Sequence, residues 1–198
     1  ILLFSSPTLA AESKDPVRAK NGMVVSASDL ATQVGIEILK KGGNAIDAAV
    51  AVGFALSVTY PSAGNIGGGG FMVIHLQDGT NTTIDYREKA PYSVNELIFQ
   101  DSLGNFLPDK SQEGATSSGV PGSVAGLIYA LENYGTLTLQ DVIQPAIDLA
   151  MNGFELEYHL AKSFEYEFGY LDKYPSSKKI FSQDGKVYEE GDLFVQKD

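Results

Sequence analysis

Residues 42–91 read GGNAIDAAVAVGFALSVTYPSAGNIGGGGFMVIHLQDGTNTTIDYREKAP. Nearly every residue from Ala48 to Val58 is apolar, and many are small. Asn44 stands ahead of that run as an N-cap, Asp47 puts negative charge in the first turn, and Pro61 stops it. A helix apolar on every side must be buried on every side, so the pattern predicts a central helix that Gly53 and the alanines let others approach. A buried strand competes, but the length and the alanine content favour helix. After the glycines Gly67 to Gly70, Asp78-Gly79 is the strongest hairpin signal in the chain. It predicts a buried strand over Phe71–Leu76 and a returning strand over Asn81–Arg87. Period-two alternation then places Thr83, Asp85 and Arg87 on one face.

Working outward, Met23–Ser26 reads as a short first strand. Ser26 with Asp29 resembles a capping box ahead of a helix whose buried stripe is Leu30, Val34 and Ile38, ended by Gly42-Gly43. Ser93 with Glu96 marks a short helix, followed by a polar loop over 101–118. Pro121-Gly122-Ser123 opens a helix carrying Val124, Leu127, Ile128 and Leu131, closed by Gly135. Thr138–Asn152 reads as one helix or two, interrupted at Pro145. Tyr158–Leu171 is helical, with Glu155, Glu157, Glu165 and Glu167 as an acidic rim. Asp184-Gly185 and Gly191-Asp192 are turns between short strand-like runs.

The chain has 198 residues, 43% hydrophobic and 20% charged, which describes a globular domain or part of one. Twenty-five acids against 14 Lys and Arg give a net charge of −11, unsuited to nucleic acid or an anionic membrane face. A small anionic ligand held by one local arginine remains compatible with that field. Cysteine is absent, which removes disulfides, thiolate metal sites and a cysteine nucleophile. His75 and His159 are the only histidines, too few for a multi-histidine metal centre without recruited carboxylates. Ile1–Phe4, the Ser5-Ser6-Pro7 break and the small residues near Ala10 read as the tail of a secretory signal peptide or as an ordinary apolar arm. Export as a soluble, periplasmic or secreted protein is the expectation. Ala45–Tyr60 falls short of the roughly 20 apolar residues a membrane helix needs and contains Asp47.

The glycine run does not suit a phosphate loop, which needs a strand before it and a helix after it; here the expected order is helix, glycines, strand. Arg87 is the only arginine beyond Arg18, so it alone supplies a planar fork for a carboxylate. Beside Asp85 and Glu88 it reads more readily as a structural or surface ion pair; the alternative is a guanidinium that Asp85 orients while part of its fork serves a ligand. His75 lies in an apolar run and reads as a core histidine; His159 has no evident partner. No serine sits in a Gly-x-Ser-x-Gly elbow. Ser118-Gly119 and Gly122-Ser123 read as turn and cap residues, and no carboxylate pair stands out from the acidic background.

Four stretches, KKGGNAIDAAVAVGFALSV from Lys40, YPSAGNIGGGGFMVI from Tyr60, DYREKAP from Asp85 and SGVPGSVAGL from Ser118, closely resemble the large subunit of γ-glutamyltransferases, also called glutathione hydrolases. They come in family order and spacing, and the likeness runs from about Asn21 to the end. The resemblance implies an α/β (α+β) N-terminal-nucleophile hydrolase fold, an αββα sandwich present here only in part. Residues 1–20 would be residual signal peptide and arm, and 21–198 the incomplete N-terminal part of the large subunit. It implies an exported precursor cut into two subunits, with a threonine at the start of the small subunit attacking γ-glutamyl amides such as glutathione. The acyl-enzyme would pass to water or to amino acid or peptide acceptors, with no cofactor and no metal. The family arginine that holds the glutamyl α-carboxylate maps onto Arg87. The Thr-Thr-His motif of the cleavage site is absent; Thr82-Thr83 precedes Ile84. The chain is therefore expected to supply scaffold and Arg87 to a two-subunit enzyme and to be inactive alone. A cephalosporin acylase, a poly-γ-glutamate hydrolase or a non-catalytic orphan binding subunit are the alternatives that this resemblance leaves.

Overall fold

The computed structural model describes residues 15–64 and 66–197. The expected signal-peptide remnant at the start of the chain lies outside the described residues. Helices and strands mix as an α+β fold, in which, among the described residues, three two-stranded antiparallel pairs accompany the helices.

Helix α2 (Ala45–Thr59) is the centre, as its composition requires. Val50, Ala51 and Ala55 are fully buried, and α1 (Asp29–Lys40), α4 (Ser123–Tyr134) and α5 (Leu139–Asn152) pack around it. Its start is a capping box: Asn44 Oδ1 accepts from the Ile46 and Asp47 N–H groups, and the Asn44 N–H donates to Asp47 Oδ2 at 2.7 Å. Helix α1 presents Ala31, Val34, Gly35 and Ile38 inward; Val34 and Ile38 of the expected stripe are buried, while Leu30 is only half-buried. Its N-cap is Ser28 rather than Ser26, whose hydroxyl instead bonds to the Ser28 carbonyl and Thr32 Oγ1. Residues 23–26 pair with no strand and Val25 is exposed, so no first strand forms among the described residues.

Strands β1 (Phe71–His75) and β2 (Asn81–Asp85) form the hairpin, in register Phe71 opposite Asp85 and His75 opposite Asn81. Gly79 takes φ +87°, the left-handed conformation the turn needs. Met72, Ile74 and Ile84 face the helices. The opposite face is open: Val73 is 82% and Phe71 63% exposed, correcting the expectation of a strand buried on both faces. His75 shares that open face, bonding through Nδ1 to Asn81 Oδ1 at 2.8 Å, and is not a core histidine.

Residues 93–96 form no helix, turns lying at 92–93 and 96–99, while a short helix α3 (Pro108–Gln112) interrupts the expected polar loop. Helix α5 continues through Pro145, because Thr138 and Asp141 close a capping box and Val142 and Ala146 are buried in the main core. Beyond it, β3 (Phe154–Glu155), α6 (Tyr158–Leu171), α7 (Pro175–Phe181), β4 (Ser182–Gln183), β5 (Lys186–Val187) and β6 (Leu193–Phe194) enclose a second cluster. There Phe154, Phe164, Phe181 and Tyr188 all pack on the fully buried Phe194, with ring centroids 5.1–6.1 Å apart. No described helix is long and apolar enough to cross a membrane.

Candidate functional site

Strand β2 ends at Asp85, two residues short of the expected Arg87, and residues 86–89 beyond it are held from two sides. The Tyr86 N–H donates to the Gly70 carbonyl at 3.0 Å, and Lys89 and Val120 exchange backbone bonds of 3.1 and 2.8 Å. The two flanks are themselves tied together. The Gly68 carbonyl accepts from the Gly122 and Ser123 N–H groups at 2.9 and 3.0 Å, pairing two donors that the start of α4 leaves without helical partners.

Glycine is required at this crossing for space. A Cβ on Gly69 would lie 2.7 Å from Arg87 Cα, one on Gly122 2.0 Å from the Tyr86 carbonyl oxygen, and one on Gly126 2.1 Å from Tyr86 Cγ. The Tyr86 ring thus fills a slot between Gly70 and Gly126, and burial pushes its hydroxyl pKa up. Locking Tyr86 fixes the backbone of its neighbour Arg87.

The Arg87 side chain lies at the end of the hairpin, where Asp85 and Phe71 meet it. Arg87 Nε donates to Asp85 Oδ1 at 3.1 Å and Nη2 to Oδ2 at 2.9 Å, while the Arg87 backbone N–H also donates to Oδ1 at 3.1 Å. The guanidinium carbon lies 4.7 Å from the centre of the Phe71 ring. Nη1 has no protein partner among the described residues. The side chains of Arg87 and Asp85 are 61% and 55% exposed, so their pairing contributes little to stability. A cleft of about 570 Å³ opens alongside, lined by residues 82–87 and by Lys89, Pro121, Ala125, Tyr129 and Tyr134.

Asp47 anchors the other end of α4 and has no solvent exposure. Burial pushes its carboxyl pKa up, but hydrogen bonds from Thr136 Oγ1 (2.6 Å), Leu137 N–H (3.1 Å), Asn44 N–H (2.7 Å) and Thr136 N–H (2.9 Å) outweigh that and hold it below the usual range. Its reach to the α4–α5 turn, some 90 residues on in sequence, goes beyond the helix-capping role its position suggests.

Thr83 and Asp85 share the exposed face of β2, and Arg87, beyond the strand, is exposed beside Asp85; the glycines do lie between helix and strand. His75 and His159 lie on different elements; the His159 ring is exposed and meets Tyr158 at 5.5 Å. Tyr86 and Phe71 escaped notice because their roles depend on what crosses them. Gly122 and Gly126, four residues apart on one helical face, were a readable sign of close approach.

Comparison with known proteins adds a second line. The family model described as gamma-glutamyltranspeptidase matches residues 31–198. A protein of Escherichia coli (strain K12) named glutathione hydrolase proenzyme is 50% identical over 182 residues, covering 91% of this chain and 31% of that protein. One of the same name from Pseudomonas sp. (strain A14) is 49% identical over 195 residues, covering 95% and 33%. The crystal structure of Helicobacter pylori gamma-glutamyltranspeptidase superposes with a TM-score of 0.89 at 48% identity, covering 92% of this chain and 53% of that one. The chain therefore spans about a third of the length of the curated relatives it matches.

Proposed function

From the premise that this chain belongs to the gamma-glutamyltranspeptidase family, we propose that it is the N-terminal part of the large subunit of an exported γ-glutamyltransferase. The complete two-subunit enzyme cleaves γ-glutamyl amides such as glutathione through a threonine acyl-enzyme and passes the γ-glutamyl group to water, amino acids or peptides. The small subunit brings the nucleophile, and this chain brings the scaffold and the carboxylate contact.

The observation that carries the reading is the state of Arg87. Its guanidinium is held on one edge and one face beside an open cleft, and its Nη1 nitrogen is unpaired among the described residues. A γ-glutamyl donor keeps a free α-carboxylate, and a planar fork suits a carboxylate in geometry as well as in charge. That contact fixes one end of the donor and leaves the γ-carbonyl to be placed before the nucleophile. The acidic surface selects against large polyanions without opposing this contact, since one ion pair acts at short range and the diffuse field is screened.

The test is the full-length enzyme with Arg87→Ala. Donor KM is expected to rise about ten- to hundredfold, the worth of a charge-assisted hydrogen-bond pair, with acceptor KM little altered. An unchanged donor KM removes Arg87 from the site. Assay of the complete protein on glutathione against an acylated β-lactam separates this activity from that of an acylase.

A further inference from the structure

We infer that Asp85 is a positioning residue for donor selectivity: with Phe71 it holds Arg87 so that only the outer, Nη1 end of the guanidinium meets a ligand carboxylate. The inference rests on the reading of Arg87 as the α-carboxylate contact and specifies how that contact is aimed.

Register and hydrogen bonding put the three side chains together. Asp85 ends β2 and Arg87 follows two residues beyond it, its guanidinium turned back onto the Asp85 carboxylate, and Phe71 is the cross-strand partner of Asp85. A guanidinium has three places to receive a ligand: the Nε–Nη2 edge, the Nη1–Nη2 end and its two faces. Asp85 takes the first, with both oxygens engaged. The Phe71 ring, 4.7 Å away, covers a face. The other face carries no N–H donor, whereas the Nη1–Nη2 end presents two N–H groups side by side, the spacing of a carboxylate's two oxygens.

Such an exposed pair contributes little to folding, so its bidentate geometry finds its use in the guanidinium rather than in stability. A long side chain that is already oriented loses less freedom when a ligand binds. The Arg87 side chain and backbone N–H hold the Asp85 carboxyl below the usual carboxylate range, so the orienting charge persists across neutral pH. The side chain of Glu88, on the other side of Arg87, makes no hydrogen bond to the guanidinium among the described residues.

The experiment uses the complete two-subunit enzyme and two donors, a γ-glutamyl anilide and the matching 4-aminobutyryl anilide, which lacks the α-carboxylate. Asp85→Ala is expected to lower kcat/KM for the γ-glutamyl donor about three- to tenfold more than for the other, through KM. Asp85→Asn, which keeps one acceptor oxygen, should fall between wild type and alanine. In an Arg87→Ala background, Asp85→Ala should add no selectivity between the donors. Equal losses on both donors, or none, overturn the positioning role. If Arg87→Ala itself fails to discriminate the donors, the carboxylate reading falls with it; if Arg87→Ala discriminates and Asp85→Ala does not, only this inference falls.

Discussion

Gly126→Ala sets helix propensity against packing, and the structure says which wins. In a helix interior the change normally stabilises by about 1 kcal/mol, since glycine has more backbone freedom to lose. Here the added methyl would lie 2.1 Å from Tyr86 Cγ and 2.4 Å from Tyr86 Cβ. Rotating the phenol about χ1 does not move Cβ, so the strand backbone itself must shift. Overpacking a filled slot costs about 1–3 kcal/mol, and an approach this close belongs at the upper end. Subtracting the propensity gain leaves a net loss of about 2 kcal/mol. At about 2–4 °C per kcal/mol for a chain of 198 residues, the melting temperature should fall by about 4–8 °C. Gly169→Ala in α6 is the matched control: nothing lies within 4 Å of its added methyl, and it should stabilise by about 0.5–1 kcal/mol. Thermal and urea unfolding of both variants provide the comparison. Gly126→Ala melting at or above wild type would refute the claim that the Tyr86 slot is closed.

Arg87→Lys keeps the charge but not the fork, so donor KM should rise at least severalfold in steady-state assays of the full-length enzyme, with a lysine that rescues fully arguing against bidentate recognition. Asp47→Asn turns an acceptor of four hydrogen bonds into a group with one acceptor oxygen, and urea unfolding should show a loss of about 2–4 kcal/mol. Because the Asp47 pKa is depressed in the folded state, its contribution is present above the ordinary value of 3.8 and is lost as pH falls through the lower folded value. The gap between wild type and Asp47→Asn should therefore close on acidification below pH 3.8. Asn44→Ala removes the α2 cap and the Nδ2 bond to the Tyr134 carbonyl at 2.7 Å, and should lower stability by about 1–2 kcal/mol in the same assay.

Local signals were legible wherever one residue and its near neighbours settle the outcome. The all-round apolar run made α2 central, Asn44 and Asp47 marked its start, Asp78-Gly79 marked the hairpin, and period two placed Arg87 beside Asp85. The misses share one cause. Phe71 to Leu76 reads as buried because its residues are apolar, yet burial depends on what covers a face, and helices cover only the side of Met72 and Ile74. Pro145 reads as a break because proline lacks an N–H, yet packing of α5 on α2 outweighs one missing hydrogen bond.

By itself, then, the sequence determined the main helices, the hairpin and the family, and singled out Arg87, because periodicity, caps, turns and motifs are written in neighbouring residues. Only the tertiary structure decided how that arginine is aimed. The Gly68 carbonyl at the head of α4, the Tyr86 slot between Gly70 and Gly126, and the Phe71 ring against the guanidinium are contacts between segments distant in the chain. Contacts of that kind exist only once the central helix has gathered those segments around it.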